Sequence, residues 1–289
     1  MLKELLANGP VILDGGWGTQ LQLRGLPIGA HPDLWNLTNP EKVEEVARAY
    51  VEAGSQIILS NTFGSSKFTL KRHGYDGDAG EVNRAGAAIS RRAAGGKAKV
   101  FASMGPTGIM LVMGEVTPEE VFDAFKAQAE ALAEGGADGI AVETMSDLAE
   151  ASLAVQAAKT TGLPTAVTLV FDSGKNKDRT MMGVTPEKAV VELVQAGADI
   201  IGSNCGQGID GFIPICQRMH AVTDLPLWMK ANAGLPEMID GKTVYRQDPL
   251  DFVEKAVELV RCGANFLGGC CGTSPDFIKA LHTKFKETS

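Results

Sequence analysis

A chain of 289 residues that is 44% hydrophobic and 21% charged has a globular composition, and its length suits one large α/β barrel or two average domains. The net charge is −8, with 27 Lys and Arg against 35 Asp and Glu, and no basic run is long enough to follow a phosphate backbone, which argues against a nucleic-acid partner. No apolar run approaches the ~20 residues that span a bilayer, so no membrane association is expected.

Along the chain, short apolar strands alternate with capped helices. The first strand, Val11 to Asp14, runs into Gly15-Gly16. A helix then opens at Asn39-Pro40, a polar N-cap followed by Pro in the first turn, and closes at Ala53-Gly54. Ser55 to Leu59 and Val100 to Met104 are the next strands. A second helix of the same kind runs from Thr117-Pro118 to Gly135-Gly136 and leads into the strand Ala137 to Ala141. Thr165 to Phe171 starts a third cycle, with a helix from Thr185-Pro186 to Ala196-Gly197 and a strand from Ala198 to Ile201. The fourth cycle has Leu227 to Ala231 as strand, a helix from Asp248-Pro249 to Cys262-Gly263, and a strand from Ala264 to Leu267; Ser274-Pro275 opens a terminal helix. The cap positions 39, 117, 185 and 248 are 78, 68 and 63 residues apart, the length of two βα units of ~30 residues each. Eight strands alternating with helices, with no linker between them, predict a single (β/α)8 TIM barrel filling residues 1–289 as one domain.

Such barrels carry their chemistry at the C-terminal ends of the strands. Seven residues after each capping Gly stand Asn61, Glu143, Asn204 and Cys270; eight after stand Thr62, Thr144, Cys205 and Cys271. These eight are predicted to ring the mouth. Five cysteines are an odd count, and the first ten residues lack the basic end and apolar stretch of a signal peptide, so a cytoplasmic protein without a disulfide framework is expected. Free cysteines are most often small buried hydrophobes. Cys205, Cys270 and Cys271 instead fall together at strand tips, where three thiolates suit tetrahedral Zn2+ with one position left for substrate. Adjacent strand residues face opposite ways, so this convergence needs a bend, for which Gly268, Gly269 and Gly272 are at hand. Cys216 and Cys262 fit helix-packing positions. The four His, at 31, 73, 220 and 282, miss the strand tips, which disfavours a His-based hydrolase.

Glu143 and Asp14, carboxylates at strand ends, are suited to bind a substrate ammonium. The amides Asn61, Asn204 and Asn232 are placed to touch substrate or to brace loops, and Asn232 joins Asp14 and Glu143 as a candidate substrate-binding residue. Two other readings compete: a phosphate cradle at Gly268 to Thr273 before the terminal helix, and Lys230 as the Schiff-base lysine of an aldolase.

The segments Asp14-Gly15-Gly16-Trp17-Gly18-Thr19, Met104-Gly105-Pro106-Thr107-Gly108, Glu143-Thr144-Met145, Asn204-Cys205-Gly206, Asn232-Ala233-Gly234-Leu235-Pro236 and Gly268-Gly269-Cys270-Cys271-Gly272-Thr273 resemble the homocysteine S-methyltransferase family over nearly the whole chain. Within the family, the Asn232 to Pro236 and Met104 to Gly108 segments are most similar to the homocysteine-binding domain of cobalamin-dependent methionine synthases, while Trp17 stands where a smaller or more flexible residue is expected. The resemblance implies a zinc site of Cys205, Cys270 and Cys271, homocysteine or a related thiol as acceptor with its amino group near Asp14 and Glu143, and methionine as product. One barrel of this length leaves no room for folate-binding or corrinoid-binding parts. The expected donor is therefore methylcobalamin on a separate corrinoid protein, or a small sulfonium or ammonium compound. The alternative is a corrinoid-linked demethylase acting on another methylated or thiol substrate. The long connections after odd strands, Gly15 to Thr38, Gly105 to Val116 and Asp172 to Val184, are expected to dock such a partner or to lid the pocket.

Overall fold

The computed structural model describes residues 1–239 and 242–287. Eight parallel strands form one sheet: β1 (Val11–Ile12), β2 (Ile57–Ile58), β3 (Lys99–Met104), β4 (Gly139–Met145), β5 (Thr165–Leu169), β6 (Ile200–Gly208), β7 (Leu227–Asn232) and β8 (Ala264–Gly269). Their order is β1-β8-β7-β6-β5-β4-β3-β2, so the sheet curls round until its first and last strands meet. With the helices outside, this is the expected (β/α)8 barrel. Among the described residues no helix is long and apolar enough to cross a membrane.

β1 and β2 form no ladder and are tied largely by side chains. Gln56 donates its backbone N–H to the Ile12 carbonyl (2.7 Å), and Ile12 N–H returns a bond to Gln56 Oε1 (3.1 Å). Farther up, Leu59 N–H donates to Asp14 Oδ2 (2.7 Å) and Ser55 Oγ to the Leu13 carbonyl (3.1 Å). On its other side the strand keeps its backbone bonds to β8 as far as expected, Leu13 N–H donating to the Leu267 carbonyl (2.7 Å) and Gly269 N–H to the Asp14 carbonyl (3.0 Å), while the Asp14 carboxylate takes over part of the closure toward β2.

The capping pattern sets the helix ends. Thr117 makes a capping box with Glu120, while Thr185, Asp248 and Ser274 each accept a backbone N–H of the first turn. Asn39 departs from expectation: its side chain makes no cap bond and instead accepts from Thr38 Oγ1. The predicted capping glycines Gly54, Gly136, Gly197 and Gly263 have φ between 93° and 103°, a left-handed turn that other residues adopt at a cost. The sequence did not signal the small antiparallel hairpin of Glu237–Ile239 with Lys242–Val244 after β7.

Apolar side chains divide into two layers. One packs strands against helices; the other fills the barrel and includes Val11, Leu13, Leu59, Phe101, Trp228 and Phe266. Trp228 stacks with Phe266 at 5.4 Å between ring centroids and lies 5.7 Å from Phe101, forming an aromatic floor. Polar side chains of the same inward-facing rows, Ser103, Glu143 and Lys230, lie two residues farther along their strands, toward the mouth. Trp228→Ala removes the centre of the floor. We expect a destabilisation of about 3–5 kcal/mol and a melting temperature lower by roughly 10 °C in calorimetry.

Candidate metal centre

The chain leaves regular strand geometry where the thiols sit. β4 and β6 carry register irregularities between Val142 and Met145 and between Asn204 and Gly208. At these points Thr144 (φ 63°) and Cys205 (φ 61°) adopt left-handed backbone, unfavourable for a β-branched Thr above all. Asn204 holds the first of them, its Oδ1 accepting from Thr144 N–H (2.8 Å) and its Nδ2 donating to Thr144 Oγ1 (2.7 Å). The irregularity re-aims Cys205. On β8 the strand ends at Gly269, and a turn closed by Thr273 N–H to the Cys270 carbonyl (3.2 Å) brings Cys270 and Cys271 toward it.

Of the three glycines expected to bend this segment, Gly272 (φ 81°) does so, and a Cβ there would lie 2.2 Å from the Tyr245 ring. Gly268 and Gly269 stay in the strand and permit close packing against Asp14 and Thr273.

The sulfurs of Cys205, Cys270 and Cys271 all lie within 4.8 Å of one another, the one such group of potential metal ligands among the described residues. Cys205 and Cys271 are 3.8 Å apart. Tetrahedral zinc with ~2.3 Å bonds to sulfur separates its sulfur ligands by about 3.8 Å, so the donor set and spacing both fit that ion. Hydrogen bonds from the Cys270 and Cys271 thiols pull the Cys205 pKa down to about 3, and in donating them Cys270 and Cys271 are themselves pushed up. Asn232, expected to touch substrate, lies behind the thiols: its Oδ1 accepts the Cys271 N–H (3.1 Å) and its side chain bonds Cys205. Cys216 and Cys262 pack together on the helical side, as expected, and burial pushes the Cys216 thiol up to about 12.

A cavity of about 560 Å3 opens over this cluster. Six of the eight predicted mouth residues line it, Asn61, Glu143, Thr144, Cys205, Cys270 and Cys271, while Thr62 and Asn204 brace it from behind. Glu143 accepts from Ser103 Oγ and from Asn204 Nδ2 (3.3 Å). Burial raises its pKa, and Lys230 with the Ser103 hydrogen bond only partly offsets this.

Asp14 is not on the cavity wall. It is fully buried; Lys230 Nζ donates to its Oδ1, and Trp17 Nε1 (2.7 Å) and Leu59 N–H donate to its Oδ2. Lys230 itself lines the cavity. Burial alone lowers its pKa, but the Asp14 and Glu143 carboxylates outweigh burial and the net shift is upward, so it stays an ammonium and not the free amine an aldolase needs. The phosphate cradle also loses three of its donors. Cys270, Cys271 and Thr273 N–H groups are bonded to Ala231, Asn232 and Cys270.

Sequence reasoning missed one wall of the cavity. His31 and His73, stacked at 4.6 Å, line it with Asp33, whose Oδ2 accepts from Gly64 N–H and Ser65 Oγ, both at 2.7 Å. Residues so far apart in sequence and set in irregular loops carry no periodic signal. Full burial pushes the Asp33 carboxyl up to about 7, against the opposing Ser65 and Gly64 hydrogen bonds and His73. An acid whose folded pKa lies above its unfolded 3.8 contributes stability below that value and loses it as pH rises to about 7. Asp33→Asn is expected to melt several degrees above the native chain at pH 8, with the gap closing near pH 4.

Around the mouth, the loops after β3, β5 and β7 expose Met110, Val112, Met113, Met181, Met182, Leu235 and Met238. Scattered exposed apolar residues are ordinary, but five of these seven are methionines, flexible side chains over-used on binding surfaces.

Residues 11–285 match the model of the homocysteine S-methyltransferase family. The methionine synthases of Mycobacterium leprae (strain TN) and Mycobacterium tuberculosis (strain ATCC 25618 / H37Rv) are 29% and 28% identical over 97% of this chain. The chain spans about a quarter of their length, 24% and 25%. The metallated form of the homocysteine methyltransferase MmuM from Escherichia coli superposes with a TM-score of 0.80 at 22% identity, over 98% of this chain and 99% of that one, a likeness of fold. With the whole barrel matched and the three thiols converging on one point, the chain belongs to the homocysteine S-methyltransferase family.

Proposed function

We propose that the barrel binds Zn2+ through Cys205, Cys270 and Cys271 and transfers a methyl group to the thiol of homocysteine, giving methionine. The observation that carries this reading is the convergence of three thiols in the wall of a cavity that also exposes a carboxylate. A free thiol of pKa ~8.5 is mostly protonated at pH 7, and zinc bound here would hold the acceptor sulfur as the nucleophilic thiolate.

The chain's own groups do the remaining work. Glu143 faces the cavity and takes the acceptor's ammonium. Asn204 and Asn232 fix the thiols from behind, as supporting groups do in metal sites. The acceptor thiolate attacks the methyl carbon, and the bond from that carbon to the donor breaks with its electron pair leaving on the donor. No His lies within the thiol cluster, and this reaction asks for no general acid.

The donor is a methyl-corrinoid carried by another protein or by another part of a longer polypeptide. The methionines exposed on the loops after β3, β5 and β7 would give such a partner an apolar landing surface, and the methionine synthases that match this chain are about four times as long. The reading places the protein in the cytoplasm.

The test is zinc reconstitution followed by assay of homocysteine consumption with methylcobalamin, S-methylmethionine, betaine and methyltetrahydrofolate as donors. About one zinc per chain and methionine formed from methylcobalamin support the proposal. Zinc well below one equivalent, or methionine from none of the donors, overturns it. Activity with S-methylmethionine or betaine alone overturns only the corrinoid part.

A further inference from the structure

We propose that Lys230 relieves the acceptor site of its dependence on an α-ammonium, so that short mercaptocarboxylates are methyl acceptors beside homocysteine. The inference rests on the thiol methyl transfer proposed above. It starts from the charges beneath the cavity. Two carboxylates, Asp14 and Glu143, and three thiols lie together on the inner ends of β1, β4, β6 and β8. Without a cation in the protein such a floor repels anions, and a ligand with a terminal carboxylate must bring its own positive charge.

Lys230 supplies that charge permanently. It projects from the middle of β7, is 2% exposed and is held by Asp14, which is 0% exposed. Asp14 is closed to a ligand, being fully buried off the cavity wall with Trp17 and Leu59 on its second oxygen. From the cavity, the ammonium of Lys230 is met where the carboxylate of Asp14 would otherwise be felt. Glu143 remains as a single carboxylate for the acceptor's ammonium, with the Lys230 charge near enough to act on it. A thiol lacking the ammonium therefore forgoes one interaction and is not expelled by an uncompensated pair of negative charges.

The probe is 4-mercaptobutanoate, which is homocysteine without its amino group. The bonds made and broken are those of the parent reaction: the sulfur–methyl bond forms and the methyl–donor bond breaks, with methylcobalamin as donor. Calorimetric binding of both thiols to the zinc-loaded protein, independent of turnover, is measured beside methylation rates.

In the native chain 4-mercaptobutanoate is expected to bind about 10- to 100-fold more weakly than homocysteine, the cost of the one lost ammonium contact, and both thiols are methylated. Lys230→Met bares Asp14, which attracts the homocysteine ammonium and repels the anion, so the preference for homocysteine grows at least tenfold further. Lys230→Arg keeps the cation and the native ratio. If homocysteine binds and is methylated while 4-mercaptobutanoate is refused by the native protein, the proposal is wrong. An unchanged ratio in a folded, zinc-replete Lys230→Met protein sinks it equally. Should Lys230→Met fail to fold, the native comparison and Lys230→Arg decide. If neither thiol binds, the methyl-transfer reading falls with it.

Discussion

Cys205→Ser loses bound zinc and methyl transfer together, while Cys262→Ala keeps both. That contrast is the expected result for a centre in which three of five cysteines have one task and the remaining two pack helices. Serine preserves the size of residue 205 and its strained backbone, so the barrel should fold, with circular dichroism and melting temperature close to native. It cannot supply a thiolate, and the Cys270 and Cys271 thiols lose the partner to which both donate. Two sulfurs are a poor zinc site, and the metal content measured after dialysis should fall from about one per chain to a small fraction. A metal that stabilises developing charge is worth several kcal/mol, so the rate should drop about 10^3-fold or more. A chelator should reproduce the loss in the native protein, and added zinc should reverse it there but not in the variant. Retention of stoichiometric zinc by Cys205→Ser would show that the metal, if any, sits elsewhere.

The residues behind this prediction were legible because barrel geometry is periodic. A capping glycine fixes where each helix ends, and a fixed count onward reaches the tip of the next strand, which is how Cys205, Cys270, Cys271 and Glu143 fall into one group before any coordinates are considered. What the count misses is contact between elements at unrelated positions. Asp14 reads as a free carboxylate in sequence, yet its partner Lys230 is 216 residues away and reaches it only once the strands curl into a barrel. Lys230 by itself looks like an isolated lysine. Asn232 stands at a strand tip, where sequence leaves an amide open to touching substrate or bracing a loop, and only the turn at Gly272, which brings the Cys271 N–H onto its Oδ1, shows it bracing. The His31, His73 and Asp33 wall comes from loops with no repeat, and the backbone strain at Thr144 is offset by hydrogen bonds from Asn204 that no local pattern announces.

Glu143→Gln tests the other half of the site. Glu143 is the acidic side chain left facing the cavity beside the thiols once Asp14 is engaged, so acceptor recognition should weaken without disturbing the metal. A hydrogen bond to a charged group contributes roughly 1.5–3 kcal/mol, and its loss corresponds to about a 10- to 100-fold fall in kcat/KM for homocysteine, carried mainly by KM. Zinc content should remain native, which separates this variant from Cys205→Ser. Binding of 4-mercaptobutanoate, having no ammonium to lose, should be unchanged or tighter. The pH dependence supplies an independent check. Burial holds the Glu143 carboxyl above the usual carboxylate range, so its charged form is lost earlier than that of an exposed glutamate as pH falls. The homocysteine KM of the native protein should therefore climb on the acid side, and the climb should be absent in Glu143→Gln, whose amide does not titrate. A Glu143→Gln protein with native KM and the same acid limb would move ammonium recognition away from this residue.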